Sequence, residues 1–470
     1  MPTQLRTADT AHTEEVTWIV TTSHAPWRRQ RGPVAGAVTA PPDVIVRTSE
    51  TRQTIEGFGA CFNELGWAAL SALGEPARSE VLRELFAPGV GASLTLCRMP
   101  IGANDFARDW YSYDEVDGDL ALEHFSIEHD HETLIPFIRG ALEHQPGLRL
   151  WASPWSPPAW MKTNKHYAGA VVPPWLPGVE NGLRPEQECT EGTDMFVLEQ
   201  RYLQTYAAYF GRFVDEYREQ GIAVEMVMPQ NEFNSPQVFP SCTWTPNGLI
   251  QFLRHLGPEM RKRDVAVFLG TLERGDAGLV EEVLRDPQVS ELVRGVGFQW
   301  GGKRAVAAVH SSHPELRIYQ TEQECGDGRN DWRYCRYAWT QLKHYLDNGT
   351  SAYTYWNIAL SEGGRSTWGW TQNSLVTVDP TTRSFTYNHE YYLLKHVGGF
   401  VAPGARVLET LSLNGYENQV AFVNPDGSVV LVVHNDMAEE MPVRLMVDDR
   451  MLEVTLPADS FSTFLVPPGN

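Results

Sequence analysis

Basic charge is the first thing this chain is short of: 38 Lys and Arg against 59 Asp and Glu leave a formal net charge of -21. A surface of that sign has no excess of cations to neutralise a phosphate backbone or an anionic bilayer, which excludes nucleic acid as a partner and favours a neutral substrate. Long apolar runs are missing too. The first ten residues lack the apolar core of a secretory signal, and no stretch reaches the roughly 18 apolar residues of a membrane span. The chain as written reads as soluble and cytoplasmic, without stable membrane insertion. Cysteine is sparse, at positions 61, 97, 189, 242, 325 and 335, with no close CxxC pair. That argues against a zinc cluster and for reduced, mostly buried thiols. His310, His313 and His344 carry neither metal-site nor triad spacing, so neither a metal nor an organic cofactor is expected.

What the chain has in quantity is apolar and aromatic side chains, 42% and 11% of its 470 residues, ample for one large domain and a smaller one. Eight apolar, β-rich runs stand at 54–58, 93–97, 148–152, 223–228, 265–269, 296–300, 316–320 and 352–356. Amphipathic stretches such as 76–86, 199–220, 246–263, 277–285 and 332–348 fall between them. Eight strands alternating with helices predict an α/β fold, a closed (β/α)8 TIM barrel. From 406 onward the pattern changes to short alternating runs separated by turns such as Asn424-Pro-Asp-Gly427, the mark of an antiparallel β-sandwich. The β-rich runs at 16–21 and 43–47 cannot form a domain alone and are expected to complete that sandwich. The boundaries that follow are a flexible N-terminus (1–14), N-terminal sandwich strands (15–50), the catalytic barrel (51–398) and the C-terminal sandwich (399–470). The charged segment 28–32 also reads as flexible. Two segments, 102–124 and 162–193, are too long to be simple connections; both follow barrel strands on the face that builds pockets.

On that face the predicted strands at 223–228 and 316–320 lead into carboxylates, Glu232 in Met228-Pro-Gln-Asn-Glu232 and Glu322 in Gln320-Thr-Glu322, each followed by turn-forming residues. Cleaving a glycosidic bond needs a proton for the leaving oxygen and an anion for the oxocarbenium-like carbon, which two carboxyls in different environments supply. If the two lie about 5–5.5 Å apart, the reaction retains anomeric configuration. Asn231 adds amide donors suited to a sugar hydroxyl. Glu324, two residues past Glu322, competes for the same role, because strand alternation would put both on one face.

The Gln-Asn-Glu232 and Gln-Thr-Glu322 strand ends resemble the acid/base and nucleophile motifs of glycoside hydrolase family 30, the glucosylceramidase-like family of retaining β-glycosidases. Further segments resemble it in order: 57–64, Arg98-Met-Pro-Ile-Gly102 with Asn104-Asp-Phe106, 151–164 and 355–360. The resemblance implies that Glu232 is the general acid/base, Glu322 the nucleophile, Asn231 the partner of the sugar 2-hydroxyl and Arg98 the stabiliser of the nucleophile's charge. It implies glycone contacts at Glu64, Trp155 and Trp356, with Trp300 and Asn373 as looser matches. An indole pocket rimmed by carboxylate and amide groups also suits a sugar on physical grounds, since its ring has an apolar C–H face beside its hydroxyls. There are two departures from the lysosomal members of the family. Glu64 stands in place of an aspartate, and Phe298-Gln-Trp-Gly-Gly302 lacks the tyrosine that follows the tryptophan. The expected activity is hydrolysis of a small-molecule or oligosaccharide β-glycoside by double displacement, exo-acting and first of all on β-glucosides, including glucosylceramide. β-Xyloside, β-fucoside, β-galactoside and β-1,6-glucan are alternatives on the same framework. A non-catalytic carbohydrate-binding protein would have lost one of the carboxylates, and a metal-dependent barrel hydrolase would need a His/Asp cluster.

Overall fold

The computed structural model describes residues 15–176, 178–413 and 415–469. They divide into two units, one Gln53–Gly404 and the other joining the chain up to Arg52 with the chain from Ala405 onward. The predicted flexible N-terminus, 1–14, lies outside the described residues.

The larger unit is a closed barrel of eight parallel strands. In chain order they are β1 (Gly57–Cys61), β2 (Leu96–Pro100), β3 (Arg149–Ser153), β4 (Met226–Val227), β5 (Ala266–Leu272), β6 (Val293–Gln299), β7 (Arg317–Glu322) and β8 (Thr350–Asn357). Each pairs with its neighbours in sequence, and β8 closes on β1. Every β1 residue is buried, as expected of a strand packed on both faces. Gly59 is required there because a Cβ would sit 1.8 Å from the Leu96 carbonyl oxygen. Inside the barrel Leu96, Trp151, Met226, Met228, Phe268, Tyr319 and Ala352 form one cluster.

The helices follow their sequence signals. Asn63 caps Glu64–Ser71 by accepting from Gly66 N at 2.7 Å, and Thr245 caps Pro246–Arg261 by accepting from Gly248 N at 3.0 Å. Gln200–Glu219 buries Leu203, Tyr206, Phe210, Phe213 and Tyr217, a stripe at helical spacing. Each such side chain contributes about 1.5–3 kcal/mol on burial. No helix among the described residues is long and apolar enough to cross a membrane.

Three details depart from expectation. The first barrel strand begins at Gly57 because Thr54 ends a long strand, Val44–Thr54, that belongs largely to the other unit's sheet. The strand expected over 223–228 has only two ladder residues, although Glu225 N and Met228 N still donate to Leu150 O and Ala152 O, both at 2.9 Å. After β8 the chain adds a small sheet of Ala359–Ser361, Val376–Asp379 and Ser384–Tyr387, which the sequence did not announce.

In the smaller unit ten strands share one sheet order, antiparallel in most pairs, with Val44–Val46 parallel to Leu445–Val447. Thr17–Thr22 pairs along the whole of Ser460–Val466 apart from its last residue. Val44, Val46, Val429, Leu431, Val433, Leu445 and Phe464 form its core. The segment 28–32 is corrected here: Arg28–Gln30 is a strand against Trp18–Val20. Its side chains are exposed while its backbone is paired, so polarity there marks a sheet edge and not a lack of structure.

Candidate active site

Side chains from six consecutive strands or the segments just past them, β2 to β7, converge at the C-terminal mouth of the barrel. Arg98 on β2 is fully buried and acts as the hub. Its Nη1 donates to Glu322 Oε2 at 2.7 Å and to Thr321 O at 3.3 Å; its Nη2 donates to Asn231 Oδ1 at 2.6 Å and to Ser153 Oγ at 2.9 Å. The guanidinium is also stacked on indoles, with Trp155, Trp151 and Trp356 ring centroids at 4.3, 5.0 and 5.4 Å. A bare cation could not be buried so; carboxylate, hydroxyl, amide and π faces together offset its lost hydration.

Glu322 is the last residue of β7. Besides Arg98 its Oε2 accepts from Gln299 Nε2 at 3.0 Å. Gln299, at the end of β6, also donates to Asn231 Oδ1 at 2.8 Å and Thr271 Oγ1 at 3.0 Å. This glutamine supplies the hydrogen-bond partner that the missing tyrosine left unassigned. Asn231 Oδ1 thus accepts from Arg98, Gln299 and, at 3.2 Å, Thr271 Oγ1. Its carbonyl end is saturated, and its Nδ2 is the group left to donate.

Glu232 follows on the same loop, with its backbone in the left-handed region at φ 45°. A non-glycine residue is held there only by its surroundings. Here Glu232 N donates to Thr271 Oγ1 at 3.1 Å, and Ser235 N donates back to Glu232 O at 2.9 Å. The loop is tied down further by Asn231 N to Pro154 O at 2.7 Å and Gln230 Nε2 to Trp155 O at 2.6 Å. The Glu232 carboxylate accepts from the Gln237 amide at 3.1 Å.

The two carboxyls are equally buried but differently partnered. Burial pushes Glu322 well above the ordinary carboxylate range, Arg98 works against that rise, and Glu232 and Asp105 add to it. Burial also raises Glu232, opposed by the Gln237 amide and by the charges of Arg274 and Arg98. Among the described residues no cation is in contact with Glu232, whereas Glu322 has Arg98 as an ion-pair partner.

Two further acids lie close by, and sequence reasoning singled out neither. Asp105, just past β2, is pushed up to about 7 by burial and by Glu232, and its Oδ1 is buried without a hydrogen-bond partner. Glu273, just past β5, is pushed up to about 8 by burial and Glu232. Asp105 had a signal, its place in Asn104-Asp-Phe106 after a strand; Glu273 had none beyond following an apolar run.

The remaining predicted residues separate. Trp155 and Trp356 are both 1% exposed and stack on each other at 5.4 Å, so they wall the Arg98 hub. Trp300 is 38% exposed on a short 3-10 turn after β6, apart from them at the open mouth. Glu64 is not joined to the pair by any contact: its carboxylate accepts from Arg108 N and Nε at 3.0 Å each, Thr133 Oγ1 at 3.1 Å and the His129 ring at 2.8 Å. Those partners hold it below the ordinary range against its burial. Three of these donors share Oε1, and Oε2 accepts from Arg108 N alone. Asn373 is occupied: Oδ1 accepts from Gly328 N and Asn330 N, both at 3.0 Å, and Nδ2 donates to Glu390 at 2.9 Å. It clamps the loop after β7. Glu324 lies beyond the end of β7, half-buried, on the same side as Trp300. No group of three or more His, Cys, Asp or Glu side chains among the described residues is disposed to hold a metal ion.

Residues 55–401 match the glycosyl hydrolase family 30 TIM-barrel domain and residues 404–464 the family's β-sandwich domain. A lysosomal acid glucosylceramidase from Mus musculus is 28% identical over 445 residues, 88% of this chain and 81% of that protein. An endo-1,6-beta-D-glucanase from Aspergillus fumigatus is 25% identical over 451 residues, 89% of this chain and 86% of that protein. The crystal structure of SrfJ from Salmonella typhimurium superposes with a TM-score of 0.84 at 25% identity, covering 97% of this chain and all of that one.

Proposed function

The chain belongs to glycosyl hydrolase family 30 and is a glycoside hydrolase, and from that premise we propose that it is a retaining β-glycosidase with Glu322 as nucleophile and Glu232 as acid/base. The observation that carries this reading is the unequal partnering of two equally buried carboxyls. Burial raises both carboxyls, but Glu322 has a cation and an amide donor on one oxygen that oppose the rise and support its charged form, whereas Glu232 has only a neutral amide in contact and is left able to hold a proton. In the first step Glu322 attacks the anomeric carbon while Glu232 gives its proton to the leaving oxygen. In the second Glu232 takes a proton from water, which displaces Glu322. Asn231 Nδ2 donates to the 2-hydroxyl of the sugar.

β-Glucoside is the proposed glycone, and removal of a terminal unit the proposed mode, supported by how deeply the pair is buried. A second reading, cleavage within a β-1,6-glucan, is supported by the fungal relative.

The test is a panel of β-aryl glycosides differing in the sugar, with the product anomer followed by NMR and product sizes read from a β-1,6-glucan. Glu322→Gln is expected to lose at least about 10³-fold in turnover. Glu232→Gln is expected to keep a fast first step only on substrates with good leaving groups and to accumulate glycosyl-enzyme. Substantial turnover by the first variant, or equal loss on both substrate classes by the second, removes the corresponding role.

A further inference from the structure

The end of the barrel away from the carboxylate pair holds a cavity of about 530 Å³. Leu96, Arg149, Met226, Ala266 and Arg317 line it, and each is the first residue of its strand, β2, β3, β4, β5 and β7. The cavity therefore opens on the N-terminal face. Glu322 ends the strand that Arg317 begins, roughly 16 Å further along. On that face of such a barrel, side chains ordinarily serve stability.

Four arginines, Arg149, Arg261, Arg294 and Arg317, stand in this cavity against two carboxylates, Glu225 and Asp264, in a chain whose net charge is -21. Two of the four are neutralised, as a stabilising role requires. Arg149 Nε donates to Glu225 at 2.7 Å, and Arg149 and Arg317 share Glu56 at 3.4 and 3.2 Å, a carboxylate that also accepts from the Tyr319 hydroxyl at 2.5 Å. Arg317 is fixed further over the Phe268 ring, 4.8 Å from its centroid. Arg261 and Arg294 differ. The first ends the helix Pro246–Arg261 and the second is next to the first residue of β6; both are exposed, and among the described residues neither guanidinium has a hydrogen bond or an ion pair. Gly257 brings the two elements close, since a Cβ there would lie 2.8 Å from the Leu292 side chain. Asp264, also exposed, has no cation partner among the described residues.

We infer that this cavity binds a small phosphate-bearing molecule, its phosphate paired with Arg261 and Arg294. Two guanidiniums without counter-ions match the nearly doubled charge of a phosphate group at neutral pH, and their planar forks pair with its oxygens bidentately. A monocarboxylate would neutralise one and leave the other. Purely stabilising arginines would carry carboxylate partners, as Arg149 and Arg317 do. Asp264 stands as an acceptor for a hydroxyl of the same molecule, which favours a sugar ester over free phosphate. The volume suits a ligand of that size. The inference does not depend on the roles proposed for Glu232 and Glu322.

The experiment is a thermal melt of the full chain at neutral pH and constant ionic strength, with glucose 6-phosphate, inorganic phosphate, glucose or acetate added singly at equal concentration. At least one of the two phosphate compounds is expected to raise the melting temperature by about 2 °C or more, and glucose and acetate to raise it by less than half as much. Arg261→Gln and Arg294→Gln, each alone, are expected to lose most of that rise, and Arg285→Gln, exposed but outside the cavity, to keep it. A larger rise with glucose 6-phosphate than with phosphate assigns the ester; equal rises assign free phosphate. The absence of a rise with both phosphate compounds overturns the inference, and needs no variant to do so. An equal rise with acetate overturns it, as does a rise that survives in both cavity variants. A rise given equally by glucose and not by phosphate places the ligand at the carboxylate pair and overturns it as well.

Discussion

Arg98 is the residue on which the electrostatics of the pocket turn. Fully buried, it faces three indoles, and its two terminal nitrogens reach Glu322 and Asn231. Replacing it with methionine leaves the Glu322 charge without its cation, and breaking a buried pair from one side costs about 3–5 kcal/mol. Because Arg98 holds the Glu322 carboxyl down, its removal lets that carboxyl rise further, and the ionised form is lost at a higher pH. Arg98→Met is therefore expected to lower the urea midpoint and to move the acidic limb of kcat/KM to higher pH; an unmoved limb would separate that limb from the Arg98–Glu322 pair. Arg98, Asn231, Glu232 and Glu322 were legible in the sequence because each ends a strand or follows one closely. Gln299 and Glu273 were not, since an isolated Gln or Glu after an apolar run looks the same whether it faces a pocket or solvent. The surroundings of Glu64 were not legible for a related reason: its partners Arg108, His129 and Thr133 come from later in the chain, and only folding brings them onto one of its oxygens.

At the scale of elements, the site depends on the short segments that follow the strands. The β4 ladder is two residues long, so the Gln230–Glu232 segment is fixed by side-chain and loop bonds to Pro154, Trp155 and Thr271 more than by its own strand. The loop after β7 is fixed in the same manner by Asn373, which bonds two of its backbone amides and the buried Glu390. Asn373→Ala would leave those groups unsatisfied, at about 1–3 kcal/mol. The expected result is a lower melting temperature and faster proteolysis within 324–330. A raised KM with stability unchanged would return Asn373 to direct substrate contact. The strands themselves were readable from apolar β-rich runs, with ends displaced by one to three residues. Their displacement has a cause the local pattern cannot hold: where a strand stops depends on how far its neighbour's ladder extends.

For the molecule as a whole, several buried acids make stability fall as pH rises. Asp105 and Glu390 are pushed up to about 7 and Glu273 to about 8, each first by burial. A carboxyl whose folded value exceeds its unfolded one binds its proton more tightly in the folded state. Its contribution is complete below about pH 4 and is lost as pH climbs towards 7 or 8. For Asp105, raised from 3.8 to about 7, the loss is up to roughly 4 kcal/mol. The urea midpoint is expected to drop between pH 5 and 8, and Asp105→Asn to flatten that drop while reducing kcat/KM. A variant with an unchanged pH slope would remove Asp105 from the account. The sequence by itself determined the barrel, the second sheet domain and the placing of two glutamates at or just past strand ends. Period, turn residues and order along the chain are local quantities, and they survive without coordinates. Only the tertiary structure decided which oxygens are free. It gave Glu322 its cation, gave Glu64 and Asn373 protein partners, left Asp105 half unpartnered and set Trp300 apart from the buried indoles. Such partnering joins residues tens to hundreds of positions apart, and no local pattern encodes it.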